Sequence, residues 1–320
     1  MRAMVQMSYG PPEVIVPQEI AKPSPGDKEI LIRIQAVSVG PSDCAFRKGD
    51  PAMIKLIYGW SRPKYAIGGC ELAGEIEAVG KEVRHFKTGD RVLGMSVKNF
   101  GAYAEYKCLS EESPLAVFPD NISFEEAVGI CDGGATALTF LRDKAKLRKG
   151  QKVLINGASG AVGIYAVQLA KYYGAEVTGV CSAGNEALVR KAGADYIIDY
   201  NLEDFTRANK AYDVVFDAVG KRSFSSCKRV LTTKGVYLTT TPKLSILFQM
   251  MRTSLFKGKR AVFAAAGLMQ NNANLAFLME LAGNGTLNAV IDRRYPLERL
   301  PDAHKYVETE RKKGNVIVTF

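Results

Sequence analysis

The stretch KVLINGASGAVGIYAVQLAKYYGAEV, residues 152–177, constrains the chain more than any other. An apolar strand runs straight into Gly157, Gly160 and Gly163, and these open directly into a helix of small and aliphatic residues. A tight glycine turn between a strand and a helix N-terminus lets backbone amides approach a diphosphate, because the first amides of a helix have no partner inside it and its dipole favours negative charge. The order strand, glycine turn, helix makes this pattern specific, where a lone glycine triplet is weak. Ser159, Gly160, Ala161, Val162 and Gly163 are therefore the expected phosphate-binding residues.

The same period continues downstream. Strands AEVTGVCS, DYIIDY, YDVVFDAVG, GVYLTTT and RAVFAA alternate with helical segments such as NEALVRKAG, which predicts βαβ units and a doubly wound parallel sheet. Before about residue 120 the pattern is instead short strands between glycine and proline turns, at 29–39, 70–80, 90–96 and 101–109. After the helix NLAFLMELAGNG, 274–285, the terminal segment reads as strand, helix and strand. The simplest arrangement is a β-rich domain, 1–123, interrupted by the cofactor domain, 124–285, and completed by 286–320.

The second strand of the parallel sheet decides the dinucleotide. A site built for NAD places Asp or Glu at its end, about 20 residues beyond the glycines, to hold the ribose hydroxyls. Here the strand ends in Cys181, Ser182, Ala183, Gly184 and Asn185, with no acid to repel a 2′-phosphate. Ser182 and Asn185 can donate hydrogen bonds there, and Tyr200, ending the third strand, can reach the same pocket, so NADPH is the expected cofactor. Arg190 and Lys191 read equally well as solvated helix residues. On the nicotinamide side Thr136, Val219, Thr240 and Thr241 are expected, from a turn at GATAL and from the C-terminal ends of strands, where open α/β sheets bind ligands.

The chain resembles the medium-chain dehydrogenase/reductase family, and within it the zinc-less quinone oxidoreductases. The resemblance rests on Asp43, Arg47 and Gly49 in PSDCAFRKGD, CELAGEIEAVG followed by FKTGDRV, GATAL around Thr136, GASGAVG, AGADYIIDY, Asp217 to Gly220 and the closing GNVIV. VIDRRYPL and the PKLSILFQMM region are similar to the chloroplast-envelope quinone oxidoreductase and alkenal or oxoene reductase branch. It implies an α/β fold with a Rossmann sheet inserted into a GroES-like substrate domain, a homodimer formed through the Rossmann sheet edge, and NADPH-dependent hydride transfer to a quinone or α,β-unsaturated carbonyl. NADPH binding with little turnover, as in crystallin-like relatives, and a zinc alcohol dehydrogenase are the alternatives.

The departures bear on the chemistry. The zinc-ligand positions of the alcohol dehydrogenases fall on Gly40, Cys70 and Asp132, and a glycine supplies no ligand, so no metal is expected unless Cys44 or Cys131 substitutes. The substrate-site asparagine and tyrosine of the zinc-less group fall on Gly40 and Ala45, its 2′-phosphate lysine on Asn185, and its C-terminal lysine on Asn315, which is carried over as a cofactor contact. Tyr58, Trp60 and Tyr65, on what reads as an extended loop before Gly68, are expected to wall the substrate side, with Tyr58 as the candidate proton donor. Asp132 reads either as a buried acid near the old metal position or as a helix cap, and His85 and His304 as structural.

Charge and cysteines limit the setting. Six cysteines without a CxxC pair fit free thiols and the reducing cytoplasm. No apolar stretch is long enough to span a membrane, and the N-terminus lacks a signal-peptide core. The net charge of +10 comes from basic residues spread along the chain with no RNA-recognition motif, which argues against nucleic acid as a partner. The segment LSILFQMMRTSLF puts Leu244, Leu247, Phe248, Met251 and Leu255 on one helical face, with Lys243, Lys257, Lys259 and Arg260 flanking it. Such a helix can lie peripherally on an anionic membrane, although cleft cover or dimer packing is the stronger expectation.

Overall fold

The computed structural model describes residues 1–256 and 258–320, and the side chain of Ile57 is likewise outside the description. Lys257, one of the expected basic flanks, therefore lies outside the described residues. The chain divides into two compact units, residues 1–132 with 270–320, and residues 133–269.

In the second unit the strands Tyr196–Asp199, Glu176–Cys181, Lys152–Asn156, Tyr212–Asp217, Leu231–Thr239 and Arg260–Phe263 lie side by side in that order, all parallel. The chain enters at Lys152–Asn156, winds out to one edge, then returns past its start to the other. The order thus reverses between Lys152–Asn156 and Tyr212–Asp217, and the C-terminal ends of these two strands flank the switch point where doubly wound sheets bind ligands. Leu154, Val180, Val215 and Tyr237 are buried from the sheet side, and Phe224 and Ile246 pack on them. Both faces being covered, the strands read as continuous apolar runs without alternation.

The first unit is built on a seven-stranded sheet whose central member is the long strand Glu29–Val39. It pairs antiparallel with Glu71–Val79, with Tyr106–Ser110 and with the terminal strand Asn315–Thr319. Beyond these lie Arg91–Met95 and Leu115–Val117 on one side and Ile291–Pro296 on the other. The terminal helix Leu300–Glu308 closes the core with Leu300, Ala303 and Val307 against Ile32, Ile34 and Val318. A separate hairpin-like pair, Arg2–Gln6 with Ile15–Glu19, was not legible in the sequence, and the GAYAE part of the expected strand 101–109 carries only an isolated bridge from Ala104 to Ala3.

Two expectations shift. The helix Asn272–Gly283, placed in the cofactor domain from sequence, belongs to the first unit: Asn272 Oδ1 accepts the Leu115 amide at 3.1 Å and Asn121 Nδ2 donates to the Gly283 carbonyl at 2.8 Å. Helical period alone cannot say which sheet a helix covers. The GATAL segment is not a turn either, since Thr136 lies inside the helix Phe124–Leu138.

Candidate functional site

The glycine turn has the geometry of a phosphate cradle. Gly157 sits at φ +80°, and a Cβ on it would come within 2.4 Å of Val219 Cγ1. A Cβ on Gly163 would lie 2.1 Å from the Gly157 carbonyl oxygen, so only glycine lets the helix Ala161–Tyr172 pack this close to the strand before it. No side chain caps that helix, which leaves the leading amides of Ala161, Val162 and Gly163 available to an anion. The residues present thus fit a dinucleotide diphosphate.

The neighbouring loop is pinned by Asp217, which is fully buried at the end of its strand. Its carboxylate accepts from Asn156 Nδ2 at 2.8 Å, from the Gly220 amide at 3.1 Å, from the Arg222 amide at 2.8 Å and from Tyr237 Oη at 3.1 Å. This turns the chain so that Val219 covers Gly157 and Gly220 meets Thr241, whose Oγ1 would be 1.9 Å from a Cβ there. Thr240 Oγ1 donates to the Ala218 carbonyl at 3.2 Å. Thr136 comes in from the helix Phe124–Leu138, one turn along from Gly133, at which a Cβ would lie 2.4 Å from the Ala161 carbonyl oxygen. The structure therefore brings Val219, Thr240 and Thr241 together beside the glycine turn, while Thr136 shares a helix with Gly133, which packs on Ala161.

At the other end of the cradle Asn185 Nδ2 donates to Ser159 Oγ at 3.0 Å, and the Asn185 amide donates to the Ser182 carbonyl at 2.9 Å. The Tyr200 amide reaches the Cys181 carbonyl at 3.3 Å, so Ser182, Asn185 and Tyr200 do share one strand-end region. Arg190 pairs with Glu186 one turn away on its own helix, the solvated reading of that residue. The reading of the sequence missed Asp199. In register it stands opposite Cys181, and its carboxylate accepts from the amides of Ala183 at 3.2 Å and Asn201 at 2.9 Å. An acid does stand beside the second strand's end, supplied by the third strand; the signal was the aspartate closing YIID.

The first unit holds a different kind of site. A cavity of about 40 Å³ is lined by Asp43, Arg47, Tyr58, Phe100, Tyr103 and His304 among others. Asp43 Oδ2 accepts the Gly40 amide at 2.8 Å, while Oδ1 is buried with no protein partner; desolvation, reinforced by the charge of Asp132, pushes this carboxyl up to about 6. His304 is buried on the terminal helix with Nδ1 3.5 Å from Cys44 Sγ and its ring edge-on to Tyr103, and desolvation and Arg47 bring it down to about 3, so it is neutral. Arg47 is buried and paired with Glu308.

Tyr58 ends a short helix, Met53–Tyr58, and is not on an extended loop; its ring packs edge-on against Phe46 and Phe100 at 5.0 and 5.1 Å. Burial raises its phenol further above neutral, where a tyrosine is protonated in any case. Tyr65 joins this cluster through Phe100, whereas Trp60 is exposed. Asn315 also belongs to the first unit, where its Nδ2 donates to the Val290 carbonyl at 3.2 Å.

The positions aligned with zinc ligands are Gly40, which has no donor atom, Cys70 and Asp132. Asp132 lies in the interior of the helix Phe124–Leu138, which removes the capping reading and leaves an acid whose charge acts on Glu71 and Cys131. Burial pushes the thiols of Cys70 and Cys131 well up, and among the described residues no three His, Cys, Asp or Glu side chains converge as metal ligands. The donor set does not fit a catalytic zinc. Burial, with Asp132 and Asp43 alongside, raises Glu71 too, and Lys312, desolvated near the same acids, falls to about 8.

Comparison with known proteins adds the context. Residues 26–137 match the family model of the alcohol dehydrogenase GroES-like domain, and residues 192–318 match the model described as zinc-binding dehydrogenase. The second match does not include the three positions aligned with zinc ligands. The chain is 31% identical to the quinone oxidoreductase of Pseudomonas aeruginosa over 97% of each protein. It is 30% identical to the chloroplastic NADPH-dependent alkenal/one oxidoreductase of Arabidopsis thaliana, over 99% of the chain and 79% of the relative. The quinone oxidoreductase structure from Coxiella burnetii superposes with a TM-score of 0.89 at 27% identity, covering 100% of this chain and 99% of that one.

Proposed function

Because the chain belongs to the quinone oxidoreductase group of the medium-chain dehydrogenases/reductases, we propose that it is an NADPH-dependent, zinc-independent reductase of quinones or α,β-unsaturated carbonyls. The observation that carries the reading is the uncapped helix N-terminus at Ala161–Gly163 with Val219, Thr240 and Thr241 assembled beside it. A nicotinamide dinucleotide held there supplies hydride.

The chain's own residues do the rest by position. The amides of Ala161 to Gly163 hold the diphosphate, and Asp217 keeps Val219 and the two threonines in place. Ser182, Asn185 and Tyr200 receive the adenosine end with neutral donors. With no ligand set at Gly40, Cys70 and Asp132 to polarise an unactivated ketone, the acceptor must carry its own activation, which a conjugated carbonyl or quinone does. Tyr58, whose phenol is protonated at neutral pH, is the candidate to supply the proton. Asn315 remains a proposed contact on the resemblance alone. The free cysteines favour the cytoplasm, and a homodimer is what the family implies.

The test is NADPH oxidation by metal-stripped protein with a quinone, an alkenal and a simple ketone. Turnover of the first two and not the ketone is expected. Ketone turnover restored by stoichiometric zinc sinks the proposal, and NADPH binding without turnover of any acceptor moves the protein to a binding role.

Asp199 allows a sharper check of the cofactor. Its negative charge opposes a 2′-phosphate at the same strand end, so Asp199→Asn is expected to raise the ratio of kcat/KM for NADPH over NADH by about 3- to 10-fold, the effect of removing one like charge a few ångströms away screened by water. A ratio that falls instead would mean that the aspartate holds ribose hydroxyls and that NADH is the better partner.

A further inference from the structure

The positive charge of this chain is not evenly spread. Between Ala218 and Met279 there is no aspartate or glutamate, and the ten lysines and arginines in that stretch equal the whole chain's excess of +10. The helix Leu244–Ser254 lies inside it.

That helix has two apolar faces. The inner one is anchored: Ile246 is buried, the Phe263 amide lies 3.2 Å from Met250 Sδ, and the Ala261 amide donates to Thr253 Oγ1 at 3.2 Å. The outer one carries Leu244, Leu247, Phe248 and Met251 and continues into Leu255 and Phe256, at exposures from 49% to 89%. Basic groups stand at both ends and on its flank. Lys243 precedes the first turn, Arg252 is exposed, and Lys259, whose Nζ donates to the Lys228 carbonyl at 2.6 Å, adjoins exposed Arg260 beyond the last turn.

We propose that this face docks on an anionic lipid surface, with the stripe from Leu244 to Phe256 entering the headgroup boundary and the surrounding lysines and arginines meeting lipid phosphates. An apolar stripe at helical pitch with cations at both ends is the arrangement that lies in a bilayer interface. A two-fold contact between copies over the same face would set an all-cationic segment against itself, with no acid in it to pair. A polyanionic nucleic acid would satisfy the charges and leave six large apolar side chains in water. The amides of Ala261 and Phe263 on the edge strand are already turned to Thr253 and Met250 of this helix, so they are not free to pair with a second copy. Resting on the reductase reading for its consequence alone, docking gives the protein access to quinones and lipid-derived enals dissolved in the bilayer.

The experiment is flotation of the full chain, without acceptor, on vesicles of phosphatidylcholine with or without about one-third phosphatidylglycerol. Recovery with the anionic vesicles and not the neutral ones is expected, falling about 10-fold when ionic strength rises from about 0.1 to 0.5 M. The combined variant Leu247→Ser, Phe248→Ser, Met251→Ser is expected to lose at least about 10-fold of the recovery with NADPH affinity and melting temperature unchanged, since these side chains lie outside the core. No recovery with anionic vesicles overturns the proposal whatever the protein's turnover. So does recovery that the triple variant retains. If that variant instead turns a dimer into a monomer in lipid-free sedimentation, with no vesicle binding by the parent, the face is an interface between copies.

Discussion

Gly160→Val is expected to weaken NADPH binding by about 100-fold, equivalent to about 2.7 kcal/mol, while leaving the fold nearly intact. Gly160 lies at φ −80° and ψ 174°, extended backbone that valine adopts readily, and a Cβ there meets only the Gly157 carbonyl oxygen, at 3.4 Å. The added methyl groups therefore project from the residue that opens the helix into the space where the diphosphate is expected, while the Cβ itself makes no close contact in the protein. Fluorescence titration with NADPH and a thermal melt separate the two effects: affinity should drop with Tm changed by no more than about 2 °C. Gly163→Ala is the contrast. Its Cβ would press on the Gly157 carbonyl at 2.1 Å, so that change should lower Tm as well. Unchanged affinity in the Gly160 variant would mean that the cradle does not hold the cofactor.

Asp217→Asn should produce the largest loss of stability. The carboxylate takes four donors, two on each oxygen, in a site closed to water. An asparagine keeps one acceptor oxygen and turns an NH₂ group on the other pair of donors. The NH₂ group takes the side where it costs least, facing the Arg222 amide and Tyr237 Oη: the hydroxyl keeps the Arg222 carbonyl, to which it already donates at 2.8 Å, and accepts from the NH₂, so one buried amide loses its acceptor. A fall of about 1–3 kcal/mol is expected, seen as a Tm about 2–6 °C lower. Because the same oxygens set the turn carrying Val219 and Gly220, NADPH affinity at low temperature should fall too. A variant that melts like the parent would show the network to be slack, and would remove the reason given for the placement of Val219, Thr240 and Thr241.

The cofactor half was legible because its signals are local. Gly157, Gly160 and Gly163 between an apolar strand and a helix specify their own geometry, since the φ of one and the close approach of another admit only glycine. Strand period likewise put Ser182, Asn185, Tyr200, Val219, Thr240 and Thr241 at or just beyond strand ends, because a parallel sheet puts the C-terminal ends of successive strands on one side. The missing donor at Gly40 is a matter of residue identity alone.

What only the tertiary structure decided depends on pairing across long sequence separations. Asp199 came to stand beside the end of the second strand through its register opposite Cys181, which no spacing rule along one strand reveals. The helix Asn272–Gly283 went to the first unit through side-chain bonds to Leu115 and Asn121, some 160 residues away. The neutral His304 beside Cys44, and Asp43 with an oxygen left unpaired, owe their state to burial by a terminal helix and an early one that meet 260 residues apart. Along the helix Leu244–Ser254 the sequence by itself determined two apolar faces and a cationic setting; which face is packed was decided by the edge strand Arg260–Phe263, whose amides hold Thr253 and Met250 inward and leave the other stripe in water.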